Sequence, residues 1–399
     1  MGFERKRLTG LHDVLAGHVE RGGVPGLVAL VARGEQVHVE ALGKRSLGGG
    51  PVGRDTLFRV SSMTKPVTAV AALILLEEGR LRLDDPVDEL LPELAGRRVL
   101  RDPHGPLEDT VPAHRPITVR DLLTFRLGSG LLMAPPATYP IQRAMDALDL
   151  GQHAPRPALP PEPEEWLRRF STLPLIHQPG ERWLYNTGSD VLGVLIARAS
   201  GRPFEEFLRE RIFEPLGMRD TGFHVPADQL DRFTTAYAPD PANGGLTVYD
   251  EVGGDWSAPP AFPSGAAGLV STADDFLAFG RMLLGGGRCG GERLLSRGAV
   301  ELLSSDQLTE RQKSSSMELF PGFFDGRGWG FGVSMVTRAA ELGHPVGQYG
   351  WDGGLGTSWA VDPARGTVGV LLTQRCWSSP RPPAVSGDFW TAMYAALAD

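Results

Sequence analysis

Apolar residues recur with a helical period at Leu8, Leu11, Val14, Leu15 and Val19, which predicts an amphipathic helix over 5–21, stopped at Gly22-Gly23. Two short β-rich runs follow, 27–31 and 36–42, around Arg33-Gly34-Glu35, a hairpin pattern. Residues 63–79 predict a strongly apolar helix closing at Gly79, and Asp84-Asp85-Pro86 opens a shorter one. From 85 to 260 helical segments at 118–124, 163–171, 188–200 and 203–213 are separated by Pro- and Gly-rich stretches. The loosest are 102–116 and 134–163, the latter with Pro135-Pro136 and Pro160-Pro161. Long loops in compact domains are often lids or binding loops, and 150–163 reads equally well as a surface insertion. Beyond 260, Thr272 is placed to cap a helix over 273–284, and apolar runs at 331–336, 346–349, 357–361 and 367–372 predict strands. A closing helix is predicted over 387–398. β-rich ends thus flank a helical, loop-rich middle.

Composition narrows the class. The chain has 399 residues, 41% hydrophobic and 22% charged, a globular balance with ample core material. Its 51 glycines and 33 prolines show no period, which excludes a collagen-like chain. The net charge is −8 and there is no Lys/Arg-rich run, so nucleic acid is not an expected partner. Two cysteines, Cys289 and Cys376, form no disulfide framework, and the nine histidines show no H-E-x-x-H spacing. The longest apolar stretch, 67–76, is too short to span a bilayer, and the N-terminus has no apolar h-region. A cytoplasmic protein with no membrane partner is expected; oligomeric state is not legible.

The sharpest chemical signal is Ser61-Ser62-Met63-Thr64-Lys65-Pro66. Ser62 and Lys65, three apart at the start of a helix, share one face. A serine hydroxyl is a poor nucleophile unless a neighbouring base takes its proton, and a desolvated lysine is such a base. The bare pattern is weak, because Ser61 or Ser62 could simply cap the helix.

The surroundings strengthen it. Asp55-Thr56-Leu57-Phe58-Arg59-Val60 leads in, and Ile117-Thr118-Val119-Arg120-Asp121-Leu122-Leu123, Asp190-Val191-Leu192-Gly193 and Phe213-Glu214-Pro215-Leu216-Gly217-Met218 follow. Together these resemble the serine β-lactamase-like superfamily over 8–375, closest to its family VIII carboxylesterase branch. The resemblance implies an α+β fold: an α/β sandwich with an antiparallel sheet from 1–84 and 261–399, an inserted helical domain over 85–260, and an active site at their junction. It also implies Tyr185, in Trp183-Leu184-Tyr185-Asn186-Thr187, as proton relay beside Lys65. Here Asn186 directly follows Tyr185, and Thr187 stands where the lactamases and peptidases carry a substrate-binding Asn. Tyr349-Gly350-Trp351-Asp352-Gly353-Gly354 resembles the family's last box, with Trp351 replacing its cation. That loss argues against substrates bearing a carboxylate at this point. Asn186, Trp351, Asp352 and Gly353 are therefore expected to bind substrate, and the N–H groups of Ser62 and Gly354 to hold the oxyanion. Phe323, Phe324, Trp329 and Phe331 are candidates for an acyl pocket or for core, and Pro263–Leu269 reads as a structural turn.

These readings predict a serine hydrolase that forms an acyl-enzyme with small esters. An acyltransferase of specialised metabolism, with an alcohol or amine as acceptor, uses the same boxes. A D-amino peptidase, amidase or weak β-lactamase is the further alternative, and a catalytically dead binding module the non-enzymatic one. The expected partner is a small-molecule ester or acyl donor. No metal ligand set and no nucleotide-binding glycine loop is present in the sequence, so no cofactor is expected.

Overall fold

The computed structural model describes residues 2–150, 153–242, 244–317 and 321–398. Its centre is a seven-stranded antiparallel sheet in the order 327–329, 334–336, 349–353, 357–362, 367–373, 26–33 and 36–43. The N-terminal hairpin therefore completes a sheet begun by the C-terminal strands. The strand Gly26–Arg33 is an unbroken apolar run because helices cover both faces of the sheet there. Leu27, Ala29 and Val31 pack with Leu11, Leu15, Phe389 and Trp390 of the terminal helices Arg5–Glu20 and Ala384–Ala395. Val28, Leu30 and Ala32 face the larger core, which holds helices Thr64–Glu77 and Ala273–Leu284. Every residue from Thr64 to Leu75 is buried, which explains why that helix is apolar on all faces apart from Thr64, Lys65 and Thr68. Thr272 caps the 273–284 helix through the Asp275 N–H, as its sequence predicts. Among the described residues no helix is long and apolar enough to cross a membrane.

Several expected elements are moved or divided. The strand expected over 331–336 is two shorter ones, Arg327–Trp329 and Ser334–Val336, separated at Gly332 with φ +68°. A Cβ at Gly332 would stand 2.8 Å from the Lys65 carbonyl oxygen, so the turn lies flat against the apolar helix. The strand expected over 346–349 begins only at Tyr349 and runs to Gly353, after a turn through Gly347 at φ +88°. The loose stretch 102–116 contains a strand, Thr110–Pro112, paired with Arg98–Leu100. Within 134–163 a helix runs from Pro140 to Ala147; Gly151 and Gln152 lie outside the described residues. The helix expected over 203–213 changes after Leu208 to a π-helical turn, Arg209–Phe213, and stops at left-handed Gly217.

One buried ion pair ties the strand that leads into Ser62 to the middle of the chain. Arg59 donates from Nε to Asp250 at 2.8 Å and from its terminal nitrogens to Asp250 and to the carbonyls of Thr234 and Glu251. The guanidinium lies 4.0 Å over the Phe233 ring, with both charged side chains almost wholly enclosed. Arg59→Met strands the Asp250 carboxylate without a cation. It should destabilise the fold by about 3–5 kcal/mol, read as a lower midpoint in urea, and the double replacement with Asp250→Leu should cost less.

Candidate active site

Ser62 lies on a 3₁₀ turn, Ser61–Met63, that runs directly into the Thr64–Glu77 helix. Ser61 has φ +47°, a left-handed conformation that a non-glycine residue adopts only when its surroundings hold it there. Those surroundings are explicit: Thr64 Oγ1 donates to the Ser61 carbonyl at 2.7 Å and accepts from the Leu269 N–H at 3.1 Å. Neither Ser61 nor Ser62 makes a side-chain cap. The Ser62 hydroxyl is left to its neighbours in the site.

The first neighbour is Lys65, whose side chain has no solvent exposure. Its Nζ lies 2.9 Å from Ser62 Oγ and 2.7 Å from the Ala266 carbonyl oxygen. Burial pulls the Lys65 amine down from the ordinary lysine range to about 7, against the opposing field of Asp190. A neutral amine can donate to Ala266 and turn its lone pair to the Ser62 hydroxyl. The Tyr185 ring, centred 4.4 Å from Nζ, and Asp190 both favour the ammonium once a proton has arrived.

Tyr185 is the second neighbour, hydrogen-bonded to Ser62 and lying under the Lys65 amine. Burial holds its phenol well above the ordinary tyrosine range, while hydrogen bonds from Ser62 and Trp351 work in the opposite direction. Trp351 Nε1 donates to the Tyr185 oxygen at 2.8 Å. The indole that replaces the family's cation is thus a neutral donor to the phenol. Both rings belong to an aromatic wall in which Trp329 meets Trp351 edge-on at 4.7 Å and Phe323 meets Trp351 at 5.8 Å. Of the candidates for an acyl pocket, Trp329 and Phe331 are fully buried core, and Phe324 is nearly so.

The strand carrying Trp351 reaches the nucleophile turn through its glycines. A Cβ at Gly353 would lie 2.3 Å from the Val60 carbonyl oxygen, so only glycine permits this approach. Beside it a Cβ at Gly354 would meet nothing, and the Gly354 N–H has no backbone acceptor among the described residues. Asp352 corrects the sequence reading. Strand alternation turns its side chain to the opposite face, where the Ser358 hydroxyl donates to it and Trp390 Nε1 donates in turn to Ser358. Its carboxylate does not face the nucleophile. His344 is also apart from the nucleophile, bonded to Gln348. Asn186 sits at the N-cap of the Thr187–Ser200 helix with φ +84°, immediately after Tyr185.

Two features were not legible as functional in the sequence. Asp190 accepts from Ser264 Oγ at 2.6 Å and from the Ala266 N–H at 3.2 Å, and burial raises its carboxyl against the attraction of Lys65. The Pro263–Leu269 segment, read as a structural turn, therefore supplies the Lys65 acceptor and anchors its counter-charge. Asp190 entered the sequence reading only as part of the Asp190-Val191-Leu192-Gly193 stretch, without a role, because its spacing from Tyr185 carries no chemistry until the helix direction is known. Among the described residues no group of three or more His, Cys, Asp or Glu side chains is placed to hold a metal ion.

The profile of the Beta-lactamase family matches residues 11–382. Protein Rv1367c of Mycobacterium tuberculosis is 42% identical over 364 residues, covering 90% of this chain and 87% of its own. Esterase EstB of Burkholderia gladioli is 34% identical over 385 residues, covering 90% and 88%. Among solved structures, EstCE1, described as a hydrolase with promiscuous acyltransferase activity, superposes with a TM-score of 0.79 at 26% identity over 97% of this chain and 98% of its own.

The lysine sets the first expected pH response. Ester turnover, followed as kcat/KM, should rise as pH passes through about 7 and Lys65 loses its proton. Asp190→Asn removes a charge that favours the ammonium, so this rise should move to lower pH. An Asp190 that only holds structure would lower the profile without moving it. Trp351→Phe keeps the ring and deletes the donor to Tyr185; kcat should fall about ten- to a hundredfold with little change in KM.

Proposed function

Because the chain belongs to the Beta-lactamase family, on its esterase and acyltransferase branch, we propose that it is a serine hydrolase acting on small, uncharged carboxylic esters. The observation that carries this reading is Trp351: the strand beside the nucleophile presents an indole bonded to Tyr185 instead of a cation for a substrate carboxylate. EstB supports the esterase side of the reading. In this reading residues 85–260 form the helical insertion, and the site lies where it meets the α/β part.

The steps follow from the contacts. Neutral Lys65 takes the Ser62 proton as Oγ attacks the ester carbonyl, and the N–H groups of Ser62 and Gly354 receive the developing oxyanion. The ammonium is stabilised as it forms by the Tyr185 ring and Asp190. Tyr185, in hydrogen-bond contact with Ser62, passes its proton to the leaving alkoxide and takes a proton in turn from the Lys65 ammonium, so that an acyl-Ser62 ester, a neutral phenol and a neutral amine remain. Water, activated by the same pair, releases the acid and restores the serine. Asn186 and Gly353 are the further residues proposed to border the substrate.

A second reading replaces water by an alcohol or amine, so that the acyl group is transferred. The likeness to EstCE1, a hydrolase with acyltransferase activity, favours keeping it. The nucleophile chemistry is common to both, and only the acceptor differs.

Ser62→Ala should abolish labelling by a fluorophosphonate and reduce p-nitrophenyl butyrate hydrolysis by at least about a thousandfold. Full activity in that variant would overturn the assignment. Nitrocefin should be turned over more slowly than the ester, and the reverse order would overturn the proposed substrate class. With vinyl butyrate and a panel of alcohols, transfer ester exceeding free butyrate would select the transferase.

A further inference from the structure

The strand that carries Trp351 has two faces, and the chemistry described above uses one of them. From Gly350 to Gly354 the chain reads Gly-Trp-Asp-Gly-Gly, so Trp351 and Asp352 are the two side chains of the stretch. They pair in register with Trp359 and Ser358 of the neighbouring strand and project to opposite sides of the sheet. On one side the Trp351 indole donates to the Tyr185 oxygen at 2.8 Å. On the other, Asp352 accepts from the Ser358 hydroxyl, which itself accepts from Trp390 Nε1 at 2.9 Å.

Trp390 is a firm end point for that chain of hydrogen bonds. It is buried with Ala360, Leu371 and Phe389 between the sheet and the terminal helices. A Cβ at Gly369 would stand 2.5 Å from its ring, so the helix Ala384–Ala395 lies directly on the sheet. The residues after Asp352 are held by other bonds: the Gly356 N–H donates to the Gly353 carbonyl at 2.9 Å and the Trp377 N–H to the Gly354 carbonyl at 2.8 Å. The aim of Trp351 is a separate matter. Gly350 and Gly353, on either side of the pair, have no side chain to resist a roll of the strand about its own axis. Such a roll carries adjacent side chains in opposite senses, so releasing Asp352 on one face lets the indole leave the phenol on the other. A hydrogen bond weakens steeply once its length and angle are lost.

We propose that Asp352 is a positioning residue: through Ser358 and Trp390 it anchors the strand to the C-terminal helix and so keeps the Trp351 indole on the Tyr185 oxygen. The anchor needs an acceptor facing Ser358, which an amide supplies as a carboxylate does. Burial favours the neutral Asp352 carboxyl and the Ser358 bond the ionised one, so a neutral amide is a close substitute. The inference rests on the ester hydrolysis proposed above and adds to it a residue that touches neither the nucleophile nor its proton relay.

The test is a double-mutant cycle read by p-nitrophenyl butyrate hydrolysis, with a circular dichroism melt for every variant. Asp352→Ala should lower kcat about tenfold with KM changed less than about twofold, and Asp352→Asn should recover most of the loss. Ser358→Ala breaks the same chain of bonds and should reproduce the loss. In a Trp351→Phe background, where no indole N–H remains to be aimed, Asp352→Ala should cost less than about a further twofold. An Asp352 that only stabilises the fold would lower kcat by the same factor in both backgrounds, and that additivity would overturn the proposal. Parental kcat in Asp352→Ala, or a loss that Asp352→Asn does not recover, would overturn it too. Should Asp352→Ala not fold, Ser358→Ala with Trp351→Phe closes the same cycle. A parental protein that turns over no ester would overturn the esterase reading and this proposal together, whereas an active parent with additive losses would overturn this proposal alone.

Discussion

Lys65 places an amine inside the protein with no solvent contact, and much of the surrounding structure exists to make that tolerable and useful. Desolvation penalises the ammonium, so the amine is driven towards the neutral form that can accept a proton. Asp190 and the Tyr185 ring limit that penalty without abolishing it, which leaves the group poised near neutrality. A lysine on a solvated helix face would stay protonated and could not serve Ser62. The burial of the Thr64–Glu77 helix from Thr64 to Leu75 is therefore part of the chemistry as well as of the core.

The same burial requires close backbone approach from three directions. Gly332 lies against the Lys65 carbonyl, Gly353 against the Val60 carbonyl, and the Ala266 carbonyl accepts from Nζ. The strained turn at Ser61 is held from the 264–269 segment through Thr64 and Leu269. Behind it, the Arg59–Asp250 pair fixes the incoming strand against the middle of the chain. The nucleophile is thus positioned by residues far from it in sequence, each contributing a hydrogen bond or a missing Cβ.

Adjacent residues on one strand serve different compartments. Trp351 points to Tyr185, while Asp352 bonds Ser358 beneath the helix Ala384–Ala395. Reading the Trp351-Asp352-Gly353-Gly354 stretch as a single substrate-contacting box ignored the two-residue alternation of a strand. Once the register pairs Trp351 with Trp359 and Asp352 with Ser358, the two side chains separate to opposite faces.

The sequence alone determined the elements whose periodicity is strong: the N-terminal helix and hairpin, the apolar helix after Ser62, the capped helix at 273–284 and the strands at 357 and 367. It also placed Ser62 and Lys65 on one helical face, because that follows from three-residue spacing, and the resemblance of its motifs brought Tyr185 to them. Tertiary structure decided the rest. The break at Gly332, the late start of the strand at Tyr349 and the helix within 134–163 answer to packing partners distant in the chain, which local propensity does not register. The site's electrostatics were likewise invisible. Whether Lys65 is neutral depends on what excludes water from it, and whether Trp351 binds substrate or the phenol depends on a 2.8 Å contact between residues 166 apart.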